Sequence, residues 1–138
     1  MSRLAVHITG FDPADLNYLQ DSWARSYRPP QIDPAVYFPW HRKVRETLLA
    51  RGYVRVARDT EDPTYIHGYM ISEAIGEIAY LHWAYTRLPS RNQGVYTQLL
   101  ADALAHHSGA GATDVRFTHR TKFTQTLDLP YEPVSHVL

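Results

Sequence analysis

Leu81-His82-Trp83-Ala84-Tyr85-Thr86-Arg87-Leu88-Pro89-Ser90-Arg91-Asn92-Gln93-Gly94-Val95-Tyr96 is the stretch that decides how the rest of the chain is read. Its first six residues favour extended structure, because Trp, Tyr and Thr suit a pleated, half-buried surface. After Pro89 the spacing changes, and Val95, Leu99, Ala103 and Leu104 recur with a helical period up to Gly109. An apolar strand therefore meets an amphipathic helix through a turn carrying Arg91-x-x-Gly94. At such a junction the first helical amides lack intrahelical acceptors and the dipole is positive, which attracts phosphate. Gly94 lets the backbone come close to an anion and Arg91 adds a charge. Each charge-assisted hydrogen bond contributes about 1.5–3 kcal/mol. An ordinary helix start with a surface arginine has the same pattern, so the flanking elements matter.

Upstream, Gly76 opens the strand, which spans residues 77–86. Residues 53–58 alternate Val54 and Val56 against Arg55, and the turn-rich residues 59–63 separate them from a second strand over residues 65–71, a hairpin pattern. Near the N-terminus, residues 4–8 place Leu4, Val6 and Ile8 on one face and stop at Gly10. Asp12-Pro13 and Asp33-Pro34 each read as an N-cap followed by proline at the first helical position. The helices that follow carry the stripes Leu16, Leu19, Trp23, Tyr27 and Tyr37, Trp40, Val44, Leu48, the second kinking or beginning near Pro39. Downstream, residues 112–118 read as a strand, residues 120–127 as a short helix at best, and residues 131–137 as a last strand.

The 138 residues, 44% apolar and 20% charged, match one compact domain spanning residues 1–138. Fourteen Lys and Arg balance fourteen Asp and Glu, so no global basic excess drives non-specific nucleic-acid binding. The absence of Cys excludes disulfides, thiolate metal sites and Cys nucleophiles. Eight histidines show no metal-binding spacing, and no metal is expected. The start has no secretory apolar region and no segment reaches the ~18 apolar residues of a membrane span, so a soluble cytoplasmic protein is expected.

The element order and the Arg91-x-x-Gly94 junction together resemble the GNAT superfamily of N-acetyltransferases over nearly the whole chain. The resemblance implies an α/β fold, with a mixed central sheet of about six strands flanked by about four helices. It implies acetyl-CoA as acyl donor and direct transfer to an amine in a ternary complex. The family's Q/R-x-x-G-x-G/A loop cradles the pyrophosphate, and Arg91-Asn92-Gln93-Gly94-Val95-Tyr96 matches at Arg91 and Gly94. Tyr96 stands where the family prefers Gly or Ala, a bulky side chain beside the phosphate pocket. Ala84, Tyr85, Thr86 and the adjoining Arg87 would hold the pantetheine arm along a splayed strand edge. The opening from Asp15-Leu16-Asn17-Tyr18 to Tyr27-Arg28 also looks like small GNAT-like proteins often encoded by bacteriophages.

By the same resemblance, His82 sits at the offset of a strand histidine that serves proton relay in arylalkylamine N-acetyltransferases. An ordinary imidazole pKa near ~6.5 suits a base that deprotonates an amine. A core histidine bonded to a carbonyl is the alternative. Tyr80, two residues earlier on the same face, would line the site, and Glu77 ranks third because its parity places it on the opposite face. The family's usual acid, a Tyr in the short helix after the fifth strand, is missing from residues 118–125, which leaves His119 or Tyr131 as substitutes.

Between Trp23 and Arg58, eight basic residues (Arg25, Arg28, Arg42, Lys43, Arg45, Arg51, Arg55 and Arg58) face only Asp33 and Glu46, with Trp23, Tyr27, Tyr37, Phe38 and Trp40 interleaved. In GNAT proteins the first two helices wall the acceptor groove, so the pattern implies an acidic or nucleotide-bearing acceptor. Solvated helix faces are the plainer account. A rival function is a phage-type binding protein on the same scaffold, engaging nucleic acid or a host protein through this segment. A transferase acting on modified DNA bases would join the two readings.

Overall fold

The alternation of residues 4–8 becomes the strand β1 (Val6–Gly10) of a mixed α/β domain, seen here in a computed structural model that describes residues 3–27, 32–121 and 128–138. Asp12 is the N-cap of a 3-10 turn at Pro13–Asp15, its amide donating to the Asp15 carboxylate at 2.7 Å, and α1 (Leu16–Ser26) continues from it. Asp33 caps α2 (Pro34–Arg51) by accepting from the Ala35 amide, and this helix runs through Pro39 instead of starting there. The hairpin strands are β2 (Tyr53–Asp59) and β3 (Ile66–Ile75); Gly76, with φ +61°, turns the chain into β4 (Ile78–Thr86). After the loop come α3 (Val95–Gly109) and β5 (Asp114–Phe117).

Among the described residues, five strands lie in the order β1-β2-β3-β4-β5, antiparallel except for the parallel β4 and β5 that α3 connects. Strand parity divides the core into two layers. Leu19, Trp23, Val44, Leu48, Val56, Tyr69, Ile71 and Trp83 pack between the sheet and the α1 and α2 helices. Ala57, Met70, Val95, Leu99 and Ala103 pack between its other face and α3, covered by Leu4, Val6 and Ile8. Among the described residues, no helix is long and apolar enough to cross a membrane.

The strand expected over residues 131–137 does not form. Tyr131 makes one parallel bridge to Phe117, and Val134–His136 is a 3-10 turn. Pro133 inside the stretch removes a ladder donor and Pro130 directly precedes it, which explains the shortfall. The short helix expected over residues 120–127 falls largely on residues 122–127, outside the described residues.

One irregularity positions the site. Ile71 pairs with Trp83 but Ser72 pairs with Leu81, so His82 is an extra residue in β4. Leu81, opposite a Ser72 whose hydroxyl meets His107 of α3, faces that helix; Trp83 stacks on Trp23 of α1, with ring centroids 5.8 Å apart. The bulge lets His82 and Trp83 both point to the α1 and α2 side.

Candidate active site

β4 and β5 stay paired only from Ile78 with Asp114 to Leu81 with Phe117, with the Thr118 amide closing on the Leu81 carbonyl at 3.1 Å. Beyond that point a narrow cleft of about 20 Å³ begins, lined by Leu81, His82, Ala84, Tyr96, His119 and Thr121. The Arg87 amide bonds the His67 carbonyl on β3 at 2.7 Å. Main-chain groups alternate along a strand, so those of Tyr85 face β3 and those of Ala84 and Thr86 face the open edge. The Thr86 carbonyl is met there by Arg91 Nε at 2.8 Å.

A second cavity of about 190 Å³ adjoins the first through Tyr96 and is lined by Thr86, Arg91, Asn92, Gly94 and Thr97. Asn92 (φ 62°) and Gly94 (φ 81°) are both left-handed, and the first intrahelical bond of α3 closes only at Gln98, whose amide meets the Gly94 carbonyl at 3.1 Å. The amides of the first turn therefore gather at the cavity with the positive end of the helix, an anion-binding concavity. Sequence reading passed over a second cation here. A Cβ on Gly94 would lie 3.0 Å from the Arg3 side chain, whose neighbour Leu4 donates its amide to the Gln93 carbonyl at 2.8 Å.

The expected cofactor residues therefore separate. Ala84, Thr86, Arg91, Asn92, Gly94, Val95 and Tyr96 line the two cavities. Tyr85 turns to the other face against Tyr69 and Tyr18. Arg87 spends its Nε on the Ile66 carbonyl and lies over the rings of Tyr18 and Tyr65. Gln93 bonds the Pro89 carbonyl at 2.9 Å.

His82 is 1% exposed, with Nε2 2.9 Å from Glu73 Oε1 and Nδ1 2.8 Å from the Thr118 hydroxyl. Burial pushes its pKa down despite the pull of Glu73, so the ring is a neutral imidazole. Burial acts to raise the Glu73 carboxyl, but hydrogen bonds from His82 and Arg51 outweigh it and hold it below its ordinary value. Tyr80 lies on the same face, its ring 6.3 Å from that of His82 and its hydroxyl 3.2 Å from Glu132. Glu77 does not join them; it sits exposed in the turn after Gly76. His119 reaches the cleft, whereas Tyr131 packs on Phe117 beneath Arg120.

Glu73, Thr118 and His41 escaped sequence reading. Glu73 is legible in principle, because the hairpin turn at Gly76 pairs it with Tyr80, but the strand pattern in the sequence covers only residues 65–71 and stops short of it. The basic segment also changes character. Arg42 pairs with Glu46, Arg51 with Glu73, Arg55 with Asp102 and Arg58 with Asp15, and Arg45 is buried against Gln20 and His41. Three of those carboxylates come from outside the segment, so a local charge count misses them, and Arg28 lies outside the described residues.

No protein-family model matches this chain, and a search of curated proteins finds no significant match. Solved structures do match. A GNAT family acetyltransferase from Brucella melitensis in complex with acetyl-CoA superposes with a TM-score of 0.63 at 16% identity, over 88% of this chain and 80% of that one. The fold is that of the GNAT acetyltransferases. The PaiA N-acetyltransferase of Thermoplasma acidophilum, in complex with coenzyme A, gives a TM-score of 0.64 at 16% identity over 86% and 82% of the two chains. A GNAT acetyltransferase of Staphylococcus aureus Mu50 gives 0.63 at 14% identity over 88% and 77%. At these identities the likeness establishes the GNAT fold and no more.

Proposed function

We propose that this chain is an acetyl-CoA-dependent N-acyltransferase that moves an acetyl group directly to an amine. The observation that carries the reading is that the amide concavity around Gly94 and the β4–β5 cleft that His82 lines share Tyr96 in their walls, so that a ligand would run from one to the other past that ring. The concavity, with Arg91 and Arg3 beside it, suits a pyrophosphate. The open edge at Ala84 and Thr86 suits an extended amide-bearing arm, which would pair as an added strand. His82 is the base, its Nδ1 lone pair reached through the Thr118 hydroxyl, and Tyr80 backs its ring. The scaffold used instead as a nucleic-acid binder finds less support, because the arginines of residues 23–58 are largely committed to carboxylates or buried. Acetyl groups reaching an acidic or nucleotide-bearing amine lose the same support.

Calorimetric titration with acetyl-CoA, followed by thiol-release assays over amines, nucleosides and proteins, tests the reading. Saturable binding and acceptor-dependent release of free CoA are expected. Salt-sensitive DNA binding with no acetyl-CoA binding would overturn it.

A further inference from the structure

Arg91 and Arg3 flank the same concavity but are held in different ways. Among the described residues neither is paired with a carboxylate, whereas Arg42, Arg51, Arg55, Arg58 and Arg116 each are. Arg3 is fixed through its neighbour: the Leu4 amide donates to the Gln93 carbonyl and the Leu4 carbonyl accepts from Gln98 Nε2, both at 2.8 Å. Arg91 is held by its own side chain. Its Nε donates to the Thr86 carbonyl at 2.8 Å, and its guanidinium carbon lies 5.9 Å from the centre of the Tyr85 ring. Thr86 and Arg91 both line the 190 Å³ cavity, so this bond belongs to its wall.

The Thr86 carbonyl faces the edge of β4 that β5 leaves free, since the two strands pair only as far as Leu81 with Phe117. A planar N–H placed 2.8 Å from an edge carbonyl makes the bond that the main-chain N–H of an added strand would make. Arg91 thus stands in for the missing strand. An extended arm laid along Ala84 and Thr86 needs the same acceptor, and the guanidinium fills the space its amide would take. Arm and guanidinium exclude each other at Thr86.

We propose that Arg91 is a latch on the edge of β4 that a diphosphate releases, a role that rests on the acetyl-CoA binding proposed above. A guanidinium gains two parallel charge-assisted bonds from a phosphate group, against one bond to the neutral Thr86 carbonyl. A diphosphate settling between Arg3 and the first amides of α3 therefore draws Arg91 off Thr86. The freed carbonyl then accepts from the arm. No covalent bond changes; one donor leaves the carbonyl and another takes its place. While the latch is closed, only the unlatched fraction of the protein can seat an arm, and the apparent affinity for the arm is reduced by that fraction. The latch makes the diphosphate end of the donor a condition for seating its acyl end. A thioester on a short uncharged arm carries nothing that opens the edge, so the site discriminates against it beyond the loss of the phosphate contacts themselves.

Arg91 is exposed, and Arg91→Ala removes the latch without opening the core. Calorimetry with acetyl-CoA and with S-acetylpantetheine, which has the arm and the thioester but no phosphate, separates its two effects. In R91A acetyl-CoA should bind about tenfold or more weakly, because a charge-assisted phosphate contact is lost. S-Acetylpantetheine should bind several-fold more tightly, because the edge stands open. A side chain that only shaped the loop would move both donors the same way. NMR of the unaltered protein reads the latch without any thioester: inorganic pyrophosphate should shift the Arg91 Nε–H and the Thr86 carbonyl carbon together, with one midpoint. This measurement decides if S-acetylpantetheine binds too weakly to compare. Equal or weaker S-acetylpantetheine binding in R91A, or a Thr86 carbonyl that pyrophosphate leaves unmoved, overturns the latch and leaves acyl transfer standing. Failure of the parent protein to bind acetyl-CoA overturns both.

Discussion

Ser90 Oγ lies 2.6 Å from His67 Nδ1, and His67 Nε2 lies 2.8 Å from Asp59, so the turn that enters the anion-binding loop is clasped to the β2–β3 hairpin. Ser90 directly precedes Arg91, and its side chain is buried. Ser90→Ala should leave a buried ring nitrogen short of a donor, costing about 1–3 kcal/mol in chemical denaturation. The loosened loop should bind acetyl-CoA several-fold more weakly by calorimetry. Unchanged affinity would show that the loop keeps its shape without the clasp.

Gly94 combines a left-handed backbone, φ 81°, with the Arg3 side chain 3.0 Å from where a Cβ would sit. Gly94→Val should cost about 1–2 kcal/mol from backbone strain alone and displace Arg3. Acetyl-CoA affinity should fall by about tenfold or more, since each lost charge-assisted bond removes about 1.5–3 kcal/mol. Calorimetry on the folded variant checks this.

Tyr96 lines both cavities and stands in the wall they share. Tyr96→Ala should widen the path and tighten acetyl-CoA binding several-fold, at a stability cost of about 3 kcal/mol for the lost ring. Weaker binding in the variant would mean that the ring supports the ligand instead of narrowing its path.

His82→Ala removes the proposed base and leaves the Gly94 loop untouched. Turnover should drop by roughly 10²–10⁴-fold while the Kd for acetyl-CoA hardly changes. Equal turnover would remove His82 from the chemistry.

His41 is held neutral in the fold, its pKa lowered from 6.5 to about 3 by burial and then by Arg45. Between those values the unfolded chain binds a proton that the native state refuses, so stability falls as pH drops below 6.5. At about pH 5 this one ring should have removed roughly 2 kcal/mol, and His82 and His119 act in the same direction. Thermal melts from about pH 7.5 to 5 should show Tm falling, and His41→Phe should flatten that slope. A Tm independent of pH would contradict the burial of these rings in their neutral form.

Much of the fold was legible because its signals are local. Leu4, Val6 and Ile8 share a face at a spacing of two, Asp12-Pro13 and Asp33-Pro34 start helices where they stand, and Gly94 opens α3. The supposed last strand failed for a local reason too, in Pro130 and Pro133, whose weight the apolar Tyr131, Val134 and Val137 masked.

By itself the sequence determined the order of elements from β1 to β5, the turn at Arg91 to Gly94 that opens α3, and the presence of His82 on the strand leading to it. Those features depend on residues within a turn or two of one another, where period, capping and backbone freedom act directly. Only the tertiary structure decided what His82 touches and what becomes of the arginines. The extra residue in β4 turns His82 toward Glu73 and Thr118, and sheet and helix packing bring His41 within 3.1 Å of His119 across 78 positions. Asp15, Glu73 and Asp102 reach Arg58, Arg51 and Arg55 from other elements in the same way. Such contacts are set by strand register and by how helices lie on the sheet, and neither is encoded in the spacing of neighbouring residues.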